Sequence, residues 1–579
     1  MIGGPLGSAP LGGLASLDTP PVVIEPPKLP EPGQPFDVKG FAYQWWVSVL
    51  VGGNQVAGWL TGRMEIDREE GAAAVANFSL YYPPGSEVPT DLGGASVLID
   101  YTSETGGETV QARRFTGIAV EPAWDAVNRV MSMTCSDQLQ NRVEGMAVAD
   151  IDALVGGDWT TDVYDAVDGR SRWDYAGERL ETRPVSLDIG PDGAMRVTSW
   201  YSGRPAALFG PGSAIYQSVS VELGKAATNY IELAVDYRYS RLWQRNDHYG
   251  WQHPGTGGHT GMEGFCDWRS QSTDLPDVEM VEQATEGAGM KMLAGANYQR
   301  VPPSSGDPCG TGASWTNKFP DLLLAADWTG ARRWVQPITE KYNIILTTPL
   351  GQVEATRIVA RQSAAFEIED KRADEWTEAD PKAPVSGVTD LRDHVRRDAV
   401  LRCTLNRSLT TLVSASRGTT VSWQVPTPMA VAFDLVHTLE LGDQVQARGK
   451  LRRIVDEFDF DSGSAVTTLG LAIMQGGGTS DALVIPARPT VPAPGNDAGH
   501  PSLPTQLGMR NESPIYDDEL DGFAGNYDDR DDDINPNLEE FPRRLSITAS
   551  EIPAEQRDER EVPVAALYRV GIPNDRLVL

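Results

Sequence analysis

Three of the six histidines, His248, His253 and His259, fall within one short stretch, with Asp247, Cys266 and Asp267 near them. These are the residue types that ligate zinc. Spacings of five and six place no two of them on one helical face and match no common ligand pattern, so the stretch reads as a Gly-rich surface loop over Tyr249, Trp251 and Trp268. Asp529, Asp531, Asp533, Asn535, Asn537 and Glu540 occupy positions 1, 3, 5, 7, 9 and 12 of a calcium loop. Ile534 replaces the glycine required at position 6, Pro536 follows at position 8, and no amphipathic helix precedes. A dense acidic run produces such spacings by chance, so no bound cation is expected. Cys266 and Cys309 flank a Gly-rich segment and are the pair between which one disulfide is an option, two free thiols being the simpler reading. Cys135 and Cys403 lie in alternating apolar runs and read as small buried hydrophobes.

Catalytic patterns are missing. No nucleophile elbow, phosphate loop, dinucleotide fingerprint or HExxH occurs. A glycosidase needs only two carboxylates at a distance set by the fold, which no local pattern reveals. No catalytic residue, metal or cofactor is therefore expected, and the chain is read as no enzyme.

The elements that would position any site are β-rich. The 579 residues include 58 Gly, 41 Pro and 15 Trp, with 40% hydrophobic and 22% charged residues. This suits loop-rich β structure in about three to four domains, and it excludes disorder throughout and coiled coil. A formal charge of −32 argues against wrapping a nucleic acid, since binding needs Lys and Arg that displace counterions from phosphates. The first twenty residues lack the basic start and apolar core of a secretion signal, and no apolar run nears the ~20 residues of a membrane span. The chain is expected to be made in the cytoplasm.

Residues 1–38 read as a Pro/Gly-rich arm. Residues 39–148 hold short strand candidates (FAYQWWVSVLV, AVANFSLYY, ASVLIDY, QARRFTGIAV, RVMSMTC) separated by turns, the pattern of a small antiparallel barrel or sandwich. A later block, 341–475, repeats the ending of the first, with Leu92-Gly93 matched to Leu441-Gly442, Arg113-Arg114 to Arg452-Arg453, and the turn Asp125–Asn128 to Asp461–Ser464. Its first strand is expected at Lys341–Leu346, with a helix over Val388–Ala399 that buries Val388, Leu391 and Val395. Residues 149–340 form an inserted β-rich region. From 476 onward, Pro-rich chain and twelve acidic residues between Glu512 and Glu540 read as an extended tail. The fold class is mainly β: two tube-like antiparallel β-barrel or sandwich domains, an inserted α+β region and extended terminal arms.

The run YTSET, RRFTGIAV, a D-turn and RVMSMTCSDQ resembles the first barrel of tail hub proteins of long-tailed bacteriophages, and the LGDQV and RRIVDEFDF segments resemble the matching second barrel. The resemblance spans Phe41–Asp137 and Lys341–Met474 and rests on β patterns without an invariant chemical residue. It implies a homotrimer whose six barrels form a pseudo-sixfold ring at the virion tail tip, joining the sixfold tail tube to a threefold tip or central fibre. It further implies contacts with a distal tail protein, a tape measure and a central fibre or spike, with DNA passing through the lumen and no sequence-specific nucleic-acid binding. The alternative is a glycan-active or receptor-binding (adhesin) tail protein, suggested by the Trp content and the inserted region.

Overall fold

The computed structural model describes residues 43–105, 107–225, 227–252, 276–304, 306–308, 310–312, 314, 316–317, 320–368, 387–492, 545, 547, 549 and 551–579. In chain order, β1 (Gln44–Val51), β2 (Leu60–Glu69), β3 (Val75–Tyr81), β4 (Ser96–Thr105), β5 (Glu108–Asp125) and β6 (Val130–Ser136) build a first module. Three helices follow, α1 (Leu139–Glu144), α2 (Val148–Val155) and α3 (Arg172–Leu180), with a hairpin of β7 (Val185–Ile189) and β8 (Met195–Ser199). Next come β9 (Ala207–Phe209), β10 (Ser220–Glu222), β11 (Tyr230–Gln252), α4 (Val278–Gly287), β12 (Leu323–Thr347), β13 (Val359–Ile368), β14 (Gly387–Leu391) and α5 (His394–Ala415). The later strands are β15 (Thr419–Pro426), β16 (Thr438–Gly442), β17 (Gln446–Asp459), β18 (Ser464–Ile473), β19 (Arg560–Arg569) and the short β20 (Leu577–Val578), which pairs antiparallel with β17. The fold is mainly β.

The duplication is visible in the topology. In the first module the antiparallel order is β3-β6-β5-β4; in the second it is β15-β18-β17-β16. Each set is extended on its β3 or β15 side by an antiparallel strand, β2 in one and β10 in the other. Alternation explains the packing: in β17 Ile454, Asp456 and Phe458 are buried while Arg453, Val455 and Glu457 face outward. The two modules share one sheet because β2 pairs antiparallel with β17, from Arg453 opposite Glu69 to Asp459 opposite Arg63. Phe458, Ala465 and Val431 complete the first module's core with Met64, Ile66, Phe78, Ile99 and Phe115.

A second sheet is built on the long hairpin of β11 and β12, paired from Tyr230 opposite Thr347 to Gln252 opposite Ala325. β13 adds parallel to β11, and β19 adds parallel to β12. One face carries Ile231, Leu233, Val235, Ile344 and Leu346, and α5 buries Val400, Leu401, Leu405, Leu412 and Val413 among them.

Several expectations are corrected. Lys341–Leu346 does not open the second module; it is the end of β12, because its alternation continues the preceding run without a turn residue. The additional strands of the second module come instead from β9 and β10. The helix expected over Val388–Ala399 begins only at His394, where the Asp393 carboxylate accepts the Val395 and Arg396 amides. Val388 and Leu391 lie in β14, and Val395 is exposed. The last hundred residues are not all extended tail: Val562, Val564, Ala566 and Tyr568 alternate on β19 and join the core under α5. The 1–38 arm and the acidic run 512–540 lie outside the described residues.

Candidate functional site

The turns that close β5-β6 and β17-β18 fix which residues of the two modules correspond. Asp125 accepts the Val127 and Asn128 amides through Oδ1 at 2.9 and 3.2 Å; Asp459 accepts those of Asp461 and Ser462 at 2.9 and 3.0 Å. Arg129 (φ 54°) and Gly463 (φ 71°) end the two turns in the left-handed region. Asp125 therefore corresponds to Asp459, two residues from the predicted alignment with Asp461. The predicted match of Leu92-Gly93 to Leu441-Gly442 is also lost, because the first pair precedes β4 and the second ends β16. Likewise Arg114 lies farther from its turn than Arg453 does from its own.

The β2–β17 joint holds a buried ionic cluster. Arg114 donates through Nε and Nη2 to both oxygens of Asp456, each at 2.9 Å, and through Nη1 to the Val431 carbonyl at 3.0 Å. The Thr467 hydroxyl donates to Asp456 at 2.7 Å. Arg68 donates to Asp434 at 3.0 Å and lies 3.7 Å from Asp456. Arg196 bridges Asp434 and Asp188 at 2.6 and 2.7 Å, tying β8 to the same cluster. Burial, with Arg114 alongside, lowers the Arg68 guanidinium to about 10. Burial would raise Asp434, but the charges of Arg68 and Arg196 outweigh it and hold the carboxyl at about 2. Burial lowers the Lys450 ammonium to about 8. Bidentate, desolvated pairs of this kind lock geometry rather than carry out chemistry. Outside the joint, Arg453 and Asp67 pair across the same two strands, so the outward face is also laced.

Beyond Ala119, whose backbone still bonds to Ala95, β5 is paired, among the described residues, only with β6. A bulge at Val120 sets Ala119 opposite Cys135 as Ile454 is set opposite Leu469, and beyond it Pro122 and Trp124 stand in the phase of Asp456 and Phe458. Asp456 and Phe458 are fully buried; Val120 and Trp124 are 46% and 38% exposed. At the far end of the sheet β10 is paired, among the described residues, only with β15, and Leu223 beside it is 64% exposed.

Of the histidine cluster, only Asp247 and His248 fall among the described residues. The His248 Nε2 lies 2.6 Å from Asp327 Oδ1, and its Nδ1 lies 3.3 Å from Thr329 Oγ1. His253, His259, Cys266, Cys309 and the 529–540 acidic spacing lie outside the described residues. Among the described residues no group of three His, Cys, Asp or Glu could hold a metal ion, and no helix is long and apolar enough to cross a membrane. Cys135 and Cys403 are buried free thiols, and burial raises both to about 12. Sequence reasoning missed the ionic cluster, although Asp456 in the inward phase of Ile454 and Phe458 was its visible signal.

No family model matches the sequence, and no curated protein matches it significantly. Structural neighbours include tail proteins and a PdpA–VgrG complex. A tail protein from Neisseria meningitidis MC58 aligns at 12% identity and TM-score 0.34, over 74% of this chain and 96% of its own. The 43 kDa tail protein of prophage MuSo2 from Shewanella oneidensis aligns at 9% and 0.34, over 74% and 96%. A PdpA–VgrG complex of Francisella aligns at 7% and 0.30, over 78% of this chain and 55% of that one.

Proposed function

We propose that this protein is a non-catalytic structural part of a phage-type tail: a trimeric hub at the tip that joins a sixfold tube to a threefold tip or central fibre. The observation that carries this reading is the duplication, two modules of one strand order fused edge to edge in a single chain. Three such chains supply six similar units, so the protein can present sixfold spacing on one side and threefold on the other. In this reading a distal tail protein, a tape measure and a fibre or spike are its neighbours in the virion, it is assembled in the host cytoplasm, and DNA leaves through its channel. The outward face at the joint suits a channel wall. Glu65, Asp67, Glu69, Glu457 and Asp459 outnumber Arg63, Arg452 and Arg453, and all three arginines are engaged by carboxylates. Such a wall repels phosphate. Particle images test the proposal: threefold density of this chain at the tail tip is expected, and a soluble monomer that cleaves polysaccharide overturns it.

A second reading, glycan binding, draws on a cavity of about 600 Å³ between α3, β7 and α5, lined by Trp173, Trp200, Glu181, Gln362 and Arg407. Aromatic faces with convergent polar groups suit a sugar. Calorimetry against bacterial surface glycans checks it, and no heat with any glycan removes it.

A further inference from the structure

Within one chain, the joint between modules has a donor edge and an acceptor edge. The first module offers β2, and the second offers the distal half of β17. Each module also carries the counterpart of the edge the other one uses. The counterpart of β17's distal half is Glu121–Asp125 of β5, and the counterpart of β2 is β10. Among the described residues, neither has a strand on its outer side.

We propose that these two edges join successive copies of this chain, β10 of one copy adding antiparallel to the distal half of β5 of the next. This rests on the multimeric reading above and names its contact. The intrachain ladders give the register. In the first module Asp67 faces Val75, which faces Ser136; in the second Ser220 faces Ser422, which faces Gly470. Ser136 and Gly470 stand at the same distance past their matched turns, so Ser220 takes the place of Asp67. Asp67 pairs with Val455, and the counterpart of Val455 is Glu121. The contact therefore sets Ser220 of one copy opposite Glu121 of the next.

Exposure supports a second copy as the occupant. Phe458 at the intrachain joint is fully buried, whereas Trp124 at the matching place is 38% exposed and the bulged Val120 before it 46% exposed. The facing edge exposes Leu223, with Tyr216 81% exposed nearby. Large apolar residues on two otherwise unpaired edges mark an interaction surface. The contact is head to tail, using different patches on each copy, so repeating it closes a ring when the rotation between copies is a whole fraction of a turn, a third of a turn in the trimer proposed above. Pro122 restrains the edge from indiscriminate pairing. With the β6 ladder continuous at Pro122–Met133, its nitrogen faces the open side and offers no donor.

The test uses the full chain. Under mild oxidation, Glu121→Cys/Ser220→Cys is expected to give disulfide-linked multimers that reductant dissolves, while either single variant gives none. Trp124→Glu and, on the other edge, Leu223→Glu are each expected to abolish the multimer by light scattering while circular dichroism stays that of the wild type. A multimer that forms in both Glu variants, without cross-linking of the double Cys variant, overturns the contact but leaves the hub reading standing. A wild-type chain that remains monomeric overturns both.

Discussion

Asp456 receives two donors from Arg114 and one from Thr467 while fully buried, so its removal leaves Arg114 charged and without its carboxylate partner. Asp456→Ala is expected to cost about 3–5 kcal/mol, read from the urea midpoint. Asp434 makes the same cluster sensitive to acid. Its carboxyl ordinarily titrates near 3.8 and is held at about 2 in the fold, so the folded state binds its proton less readily than the unfolded chain. Its contribution, roughly 2 kcal/mol, is fully present above pH ~4 and is lost as pH falls toward 2. Stability measured between pH 5 and 2 should fall less steeply in Asp434→Asn than in the wild type.

Among the elements, β5 depends on a close approach at Gly117. A Cβ there would meet the Ser136 carbonyl oxygen at 2.4 Å and the Phe115 ring at 2.6 Å. Backbone cannot yield as a side chain end does, so Gly117→Ala should lower stability by at least about 1–3 kcal/mol, seen as a reduced Tm. At α5, Asp393→Ala removes the acceptor of two amides and should cost about 1 kcal/mol, measured by chemical denaturation. Much of this level was legible in the sequence, because period-two alternation declares strands such as 75–81, 130–136 and 464–473 whatever their partners. Less legible was membership. Lys341–Leu346 has the same alternation in either sheet, and nothing local says that it pairs with Ile231–Asp236. The two-residue error in matching the modules arose from aligning Asp461 where the amide-accepting residue is Asp459. The joint was hidden for a similar reason: Arg68, Arg114 and Asp434 come from distant segments and form a cluster only when β2 meets β17.

For the whole molecule, β19 fastens a late segment onto the hairpin sheet, and Tyr568, Val570 and Ile572 enter the core under α5 before Leu577–Val578 return to β17. Truncation before Arg560 should leave that core open and the protein aggregated or markedly less stable, as centrifugation and thermal scans would record. The β2–β17 joint carries a different consequence, one of timing. Arg453 and Asp67, which bridge it, are 386 residues apart. At ribosomal rates β2 waits roughly 20–80 s for its partner strand to be synthesised. Throughout that interval its edge is open to the β17 of a finished neighbouring chain, so polysomes favour exchange of strands between nascent copies, and slowing elongation within 70–445 should raise the fraction of swapped product.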